Sequence, residues 1–199
     1  MTTPSGSGRT NQRLRTRSAI LQAAAELSRT GREVSMPEIA KAALVSEATA
    51  YRYFPDLVTL LMEAIAGQLP TPDQALASVA HSEDPVERVA AATEFLLRHV
   101  QDRQGVVRAM IAGTILRPAQ GARPGLRFGL IDHALAPLDD TLGAADPAAL
   151  AQLKRDLAVV VSAEALFNLT DLYGLGPDDA VASLVHTATT LTSAALKAC

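Results

Sequence analysis

The sequence predicts an all-α protein of two parts. Apolar residues recur at three- and four-residue intervals, no long alternating β-branched run occurs, and the breaks between periodic stretches carry helix-start and helix-stop residues. At 199 residues the chain is long enough for one core of about 100 to 150 residues plus a smaller unit.

The elements follow in order. Residues 1–16, rich in Gly, Ser, Thr, Pro and Arg, read as a flexible basic arm. A first helix is expected from about Asn11 to Arg29, with Ile20, Leu21, Ala24, Leu27 and Ser28 on one face and Gly31 ending it. The second opens at "SMPE": Ser35 as N-cap, Pro37 in the first turn and Glu38 placed to close a capping box, ahead of Ile39, Ala40 and Ala43. Ser46 offers the next N-cap, for a short helix reaching Phe54. "FPD" then separates it from a fourth helix bearing Leu57, Leu60, Leu61, Ala64 and Ile65. Beyond Pro70, helices are expected over 85–102, 104–116, 125–136, 147–173 and 178–198. These spans divide the chain into the arm over 1–16, a domain of short helices over 17–56 with a linking helix over 57–69, and a larger helical domain over 70–199.

Composition narrows the function. No apolar run approaches the roughly 20 residues that span a bilayer, no secretory leader is recognisable, and the single cysteine is Cys199. A cytoplasmic protein with no membrane partner and no disulfide framework is expected. The net charge of -3 conceals an asymmetry: residues 1–54 carry eight bases and four acids, and the remainder is acidic. A basic head on an acidic body suits a chain that meets a polyanion at one end. Nucleophile elbow, Walker loop, H-E-x-x-H and paired cysteines are all missing from the sequence, and His81, His99, His133 and His186 are widely spaced. An enzyme, a metal site and a cofactor are therefore not expected.

The stretch "LVSEATAYRYFPD", Leu44 to Asp56, holds three of the seven aromatic residues. A helix of about eight residues, a turn of three or four and a second short helix have the dimensions of a helix-turn-helix, whose second helix enters the DNA major groove. Val45 and Ala50 can face inward, leaving Glu47, Ala48, Thr49, Tyr51, Arg52 and Tyr53 outside or at the rim. Tyrosine joins a rigid apolar ring to a terminal hydroxyl, so it spans from a domain surface to a phosphate oxygen at small entropic cost. Arg52 can take guanine O6 and N7, and Glu47 can accept from cytosine N4, although Glu47 also suits the helix N-terminus wherever it points. Tyr53 is partly core in the alternative reading, and Phe54 is core.

"RSAILQAAAELSRTG" followed by "SMPEIAKAALVSEATAYRYF" is similar to the N-terminal signature of the TetR family of bacterial transcriptional repressors, over about Arg17 to Leu61. The resemblance implies a homodimer of all-helical subunits. Each would bind a palindromic double-stranded operator through its N-terminal domain and hold a small-molecule inducer in its C-terminal one. It assigns Ser46, Thr49, Tyr51 and Tyr53 to phosphates and Glu47, Ala48 and Arg52 to bases; Arg13 and Arg17 of the basic N-terminal stretch and Ser35 complete the expected DNA-binding set independently of it. Two positions depart from the pattern. Leu44 stands where the turn usually has glycine, so a remodelled turn is expected, and Leu57 replaces a phosphate-binding lysine, a charge that Arg9, Arg13, Arg15 and Arg17 can supply. A helical ligand-binding or adaptor dimer with a decayed helix-turn-helix is the alternative.

In the C-terminal part, Phe95, Met110, Phe128 and Phe167, with Thr114 and Asn168 as polar contacts, are candidates for the inducer pocket, with ordinary core as the other reading. Arg103, Arg108, Arg117, Arg123 and Arg127 form an acid-free basic block. Val181, Leu184, Val185, Ala188, Leu191 and Ala195 make an apolar stripe suited to an isologous dimer interface.

Overall fold

The structure, a computed structural model, describes residues 6–66, 68–116 and 125–197. It is helical, with no strand among the described residues.

The N-terminal unit contains the described residues up to Leu69 and those from Asp102 through the following helix. Its helices are α1 (Gly6–Ser28), α2 (Met36–Ala42), α3 (Glu47–Tyr53), α4 (Leu57–Ala66) and, across an intervening segment, α7 (Gln104–Leu116). Helix α1 starts at Gly6, inside the segment expected to be an arm. Gln, Leu and Arg at positions 12 to 15 are good helix formers, and extending a helix already anchored by packing avoids the cost of nucleation. Ile20 and Ala24 bury its second half, and Gly31, at φ 70°, turns the chain away. Helix α2 opens as expected. The Glu38 carboxylate accepts the Ser35 N–H at 3.0 Å and the Ser35 hydroxyl at 2.8 Å, and these two bonds, with Arg32 nearby, lower the Glu38 pKa below its ordinary value. Asp56 opens α4, its carboxylate accepting the Thr59 N–H at 2.8 Å and the Thr59 hydroxyl at 3.1 Å.

One core joins these helices, containing Ile20, Ile39, Ala50, Phe54, Leu60 and Leu61 together with Val106 and Met110 of α7. Leu57 packs against its edge. Two glycines let α7 come close. The Gly105 N–H donates to the Gly31 carbonyl at 3.3 Å, and a Cβ on Gly105 would lie 2.2 Å from the Arg32 carbonyl oxygen. A Cβ on Gly113 would lie 2.5 Å from Val58 of α4. The units divide between Leu69 and Pro70 and again between Gln101 and Asp102, so 104–116 groups with the N-terminal helices.

The second unit, Pro70–Gln101 and the described residues from Gly125 on, contains α5 (Pro72–Ala75), α6 (Pro85–Asp102, nearly all of it), α8 (Leu126–Ala134), α9 (Leu142–Ala145), α10 (Pro147–Val160), α11 (Ala163–Phe167) and α12 (Pro177–Lys197). Arg88 of α6 is buried, and its guanidinium donates to the carbonyls of Val79, Ser82, His133 and Ala134, tying α6 to the end of α8. Arg98 pairs with Asp178, and Gln101 donates to the Pro177 carbonyl, which ties the end of α6 to the start of α12. The continuous helix expected over 147–173 is broken. Ser162 is extended, at φ -149° and ψ 152°, and its hydroxyl oxygen accepts the Ala165 N–H at 3.1 Å, so it caps a new helix that ends in a π-turn over Asn168–Leu172. Val181, Leu184 and Ala188 of the expected dimer stripe are buried within this unit's own core.

Candidate nucleic-acid interface

Helix α2 ends at Ala42 with Ala43 as its C-cap, and the turn that follows is closed by the Leu44 N–H on the Lys41 carbonyl at 3.2 Å and the Val45 N–H on the Ala40 carbonyl at 3.0 Å. Leu44 has φ 56°. The turn is thus not remodelled: leucine adopts the left-handed conformation in which glycine is unstrained, with its side chain 93% exposed. The Ser46 hydroxyl oxygen then accepts the Thr49 N–H at 3.2 Å and lies 2.8 Å from the Thr49 hydroxyl. This cap fixes the start of α3 and with it the rotational setting of its faces.

Ala50 is sealed in the core, and Val45 and Tyr53 pack against it from the rim. Glu47, Ala48, Tyr51 and Arg52 are exposed, and Thr49 is partly so. The three aromatics accordingly take three positions. Phe54 is 1% exposed, Tyr53 is half-buried with the Arg52 guanidinium 5.7 Å from its ring centroid, and Tyr51 is 46% exposed. Between the first half of α1 and α3 lies a groove of about 450 Å³, lined by Gln12, Arg13 and Thr16 on one side and Val45, Ser46, Thr49, Arg52 and Tyr53 on the other. It brings together Arg13, Ser46, Thr49, Arg52 and Tyr53 of the expected DNA-binding set, and adds Gln12 and Thr16, which pattern-reading passed over. Hydroxyls, an amide and two guanidiniums are all able to donate to phosphate oxygens.

Two members of the set are engaged elsewhere. Ser35 is bonded to Glu38 at the start of α2. Arg17 turns to α4 and forms a two-pronged ion pair with Glu63, both N···O distances being 2.6 Å.

The candidates for an inducer pocket divide between the units. Met110 is in the N-terminal core, and the Thr114 hydroxyl donates to the Met110 and Ile111 carbonyls at 3.1 and 2.9 Å. In the second unit, Phe95 stacks on His99 at a centroid distance of 6.0 Å, Phe167 is half-buried, and Asn168 is exposed at the end of α11. Phe128 is 52% exposed, with the Arg127 guanidinium 4.7 Å from its ring. Arg117 and Arg123 of the basic block lie outside the described residues. Arg127 pairs with Glu164 at 3.7 Å, so part of the block meets acids of its own unit.

Residues 20–64 match the family model for bacterial regulatory proteins, tetR family. A solved structure titled as a TetR transcriptional regulator from Rhodococcus sp. RHA1 is similar to the chain at a TM-score of 0.49 and 24% identity, covering 90% of this chain and 97% of that one. No curated protein matches.

Proposed function

We propose, from the premise that residues 20–64 are the DNA-binding segment of a tetR-family regulator, that the protein is a transcriptional repressor released from its operator by a small molecule. The observation that carries this reading is the face of α3. Glu47, Ala48, Tyr51 and Arg52 are presented to solvent by a helix whose opposite side is locked into the core at Ala50. Arg52 and Glu47 read bases; Tyr51, Ser46, Thr49 and Arg13 hold phosphates. Two subunits address the two halves of a palindrome about 34 Å apart, and inducer binding favours a state in which the two α3 helices no longer match that spacing. Exposed apolar side chains in the second unit support self-association: Val159 on α10, and Leu172 and Tyr173 between α11 and α12.

Selection from random duplexes, followed by affinity measurements on single-base variants of the selected site, tests the reading. Tyr51→Phe removes one hydroxyl. It should weaken all variants by about the same factor, on the order of 1 kcal/mol, leaving their ranking intact. Arg52→Ala should cost about 1 to 3 kcal/mol on the preferred site and much less on sites altered at the contacted pair. An unchanged ranking with Arg52→Ala would transfer base reading to Glu47 or the start of α1. Failure to select any duplex would favour the decayed helix-turn-helix.

A further inference from the structure

Arg17 stands one helical turn after Arg13 on α1, but the two serve different neighbours. Arg13 lines the groove beside α3. The Arg17 guanidinium meets Glu63 of α4 with both prongs, Nη1 to Oε1 and Nη2 to Oε2 at 2.6 Å, and its central carbon lies 5.0 Å from the centroid of the Phe54 ring. Phe54 is the residue that ends α3, its N–H bonded to the Ala50 carbonyl at 2.9 Å. One planar cation therefore touches α1, α4 and the end of α3. Only a guanidinium combines a two-pronged carboxylate contact with ring stacking, and Lys provides neither geometry.

We propose that Arg17 is a positioning residue for DNA binding: through Glu63 and Phe54 it fixes the end of α3 against α1 and α4, and it does not itself ligate a phosphate. Its charge is compensated by Glu63, so it adds little to the field at the DNA-facing surface. The inference rests on the DNA-binding reading above and reverses the expected effect of one residue. Glu63 is an acid in a domain that binds a polyanion, so its neutralisation should tighten binding if field alone mattered. The positioning role requires the opposite.

The test uses the full chain and the duplex that the wild-type protein selects, with affinity followed across salt concentration. Arg17→Gln and Glu63→Gln should each weaken binding by roughly three- to tenfold, and the double variant should be no weaker than either alone, because both remove the same contact. The slope of log affinity against log salt should equal that of the wild type. The swap Arg17→Glu with Glu63→Arg should recover part of the loss, whereas Arg17→Lys should recover little. A slope reduced by about 0.9 in Arg17→Gln, with Glu63→Gln binding as tightly as the wild type or tighter, would make Arg17 a phosphate ligand and overturn the proposal. Thermal unfolding of each variant identifies a folding defect. If Arg17→Gln does not fold, the near-isosteric Glu63→Gln decides alone: weaker binding at unchanged slope supports the proposal, and unchanged or tighter binding overturns it. A wild-type protein that selects no duplex would overturn the DNA-binding reading itself, a result distinct from a wild type that binds while both variants are indifferent.

Discussion

Leu44 shows how a single side chain can be tolerated at a backbone cost without altering the fold around it. A left-handed leucine is disfavoured by about 1 to 2 kcal/mol, and because this one is almost wholly exposed it recovers no packing in return. Leu44→Gly should therefore raise stability, by several tenths to about 1 kcal/mol once the greater freedom of glycine in the unfolded chain is subtracted, with operator affinity unchanged. Denaturant titration beside binding measurements checks both parts. Glu38 gives a pH prediction at the same scale. Its pKa is lowered in the folded chain by the Ser35 bonds and Arg32, so its contribution is complete above the ordinary value of 4.5 and is lost as pH falls through the lower folded value. Glu38→Gln should flatten the stability profile in that acidic window and nowhere else. Individual roles were unevenly legible in the sequence. The Ser46 cap, the burial of Phe54 and the inward Ala50 follow from local spacing. The use of Arg17 does not, because its partner is 46 residues away and no local rule selects Glu63 from the other acids.

At the scale of elements, most helix spans could be read from periodicity and caps: 85–102 and 104–116 coincide with α6 and α7. The break at Ser162 was hidden because helical periodicity continues across it. The available clue was a run of β-branched residues, Val159 to Val161, ahead of a serine with Glu164 in the next turn, a sequence that disfavours helix continuation and favours a fresh start. The placement of α7 was equally hidden, since glycine spacing does not announce which neighbour requires it. Gly105→Ala tests that placement. The added methyl would meet the Arg32 backbone, which no rotamer change can relieve, so the variant should lose about 1 to 3 kcal/mol or more by chemical denaturation. Gly8→Ala, where open space surrounds the Cβ, serves as the clash-free control and should leave stability unchanged or raise it slightly through the better helix propensity of alanine.

For the whole molecule, the chain divides into a smaller helical unit that carries the helix-turn-helix and a larger helical one, and Val181, Leu184 and Ala188 of the expected self-association stripe are buried within the larger. Leu184 is only 7% exposed within a single chain, so a charge there would break the second unit's core and unfold it. Val159, 73% exposed on α10, is the better probe. Val159→Asp should give a monomer by light scattering with unchanged helix content and weaker operator binding, because each half-site is then held singly. The membership of α7 in the N-terminal unit has one further consequence. A unit assembled from two separated stretches cannot be excised as a prefix. A fragment ending at Leu69 keeps every residue of the helix-turn-helix yet lacks Val106 and Met110, leaving an unfilled hollow on a core that small domains can barely spare. The chain leaves this unit after Leu69, re-enters at Asp102 and leaves again beyond α7, so the unit that carries the helix-turn-helix is built from two separate stretches of chain and its integrity depends on a helix contributed from far along the sequence.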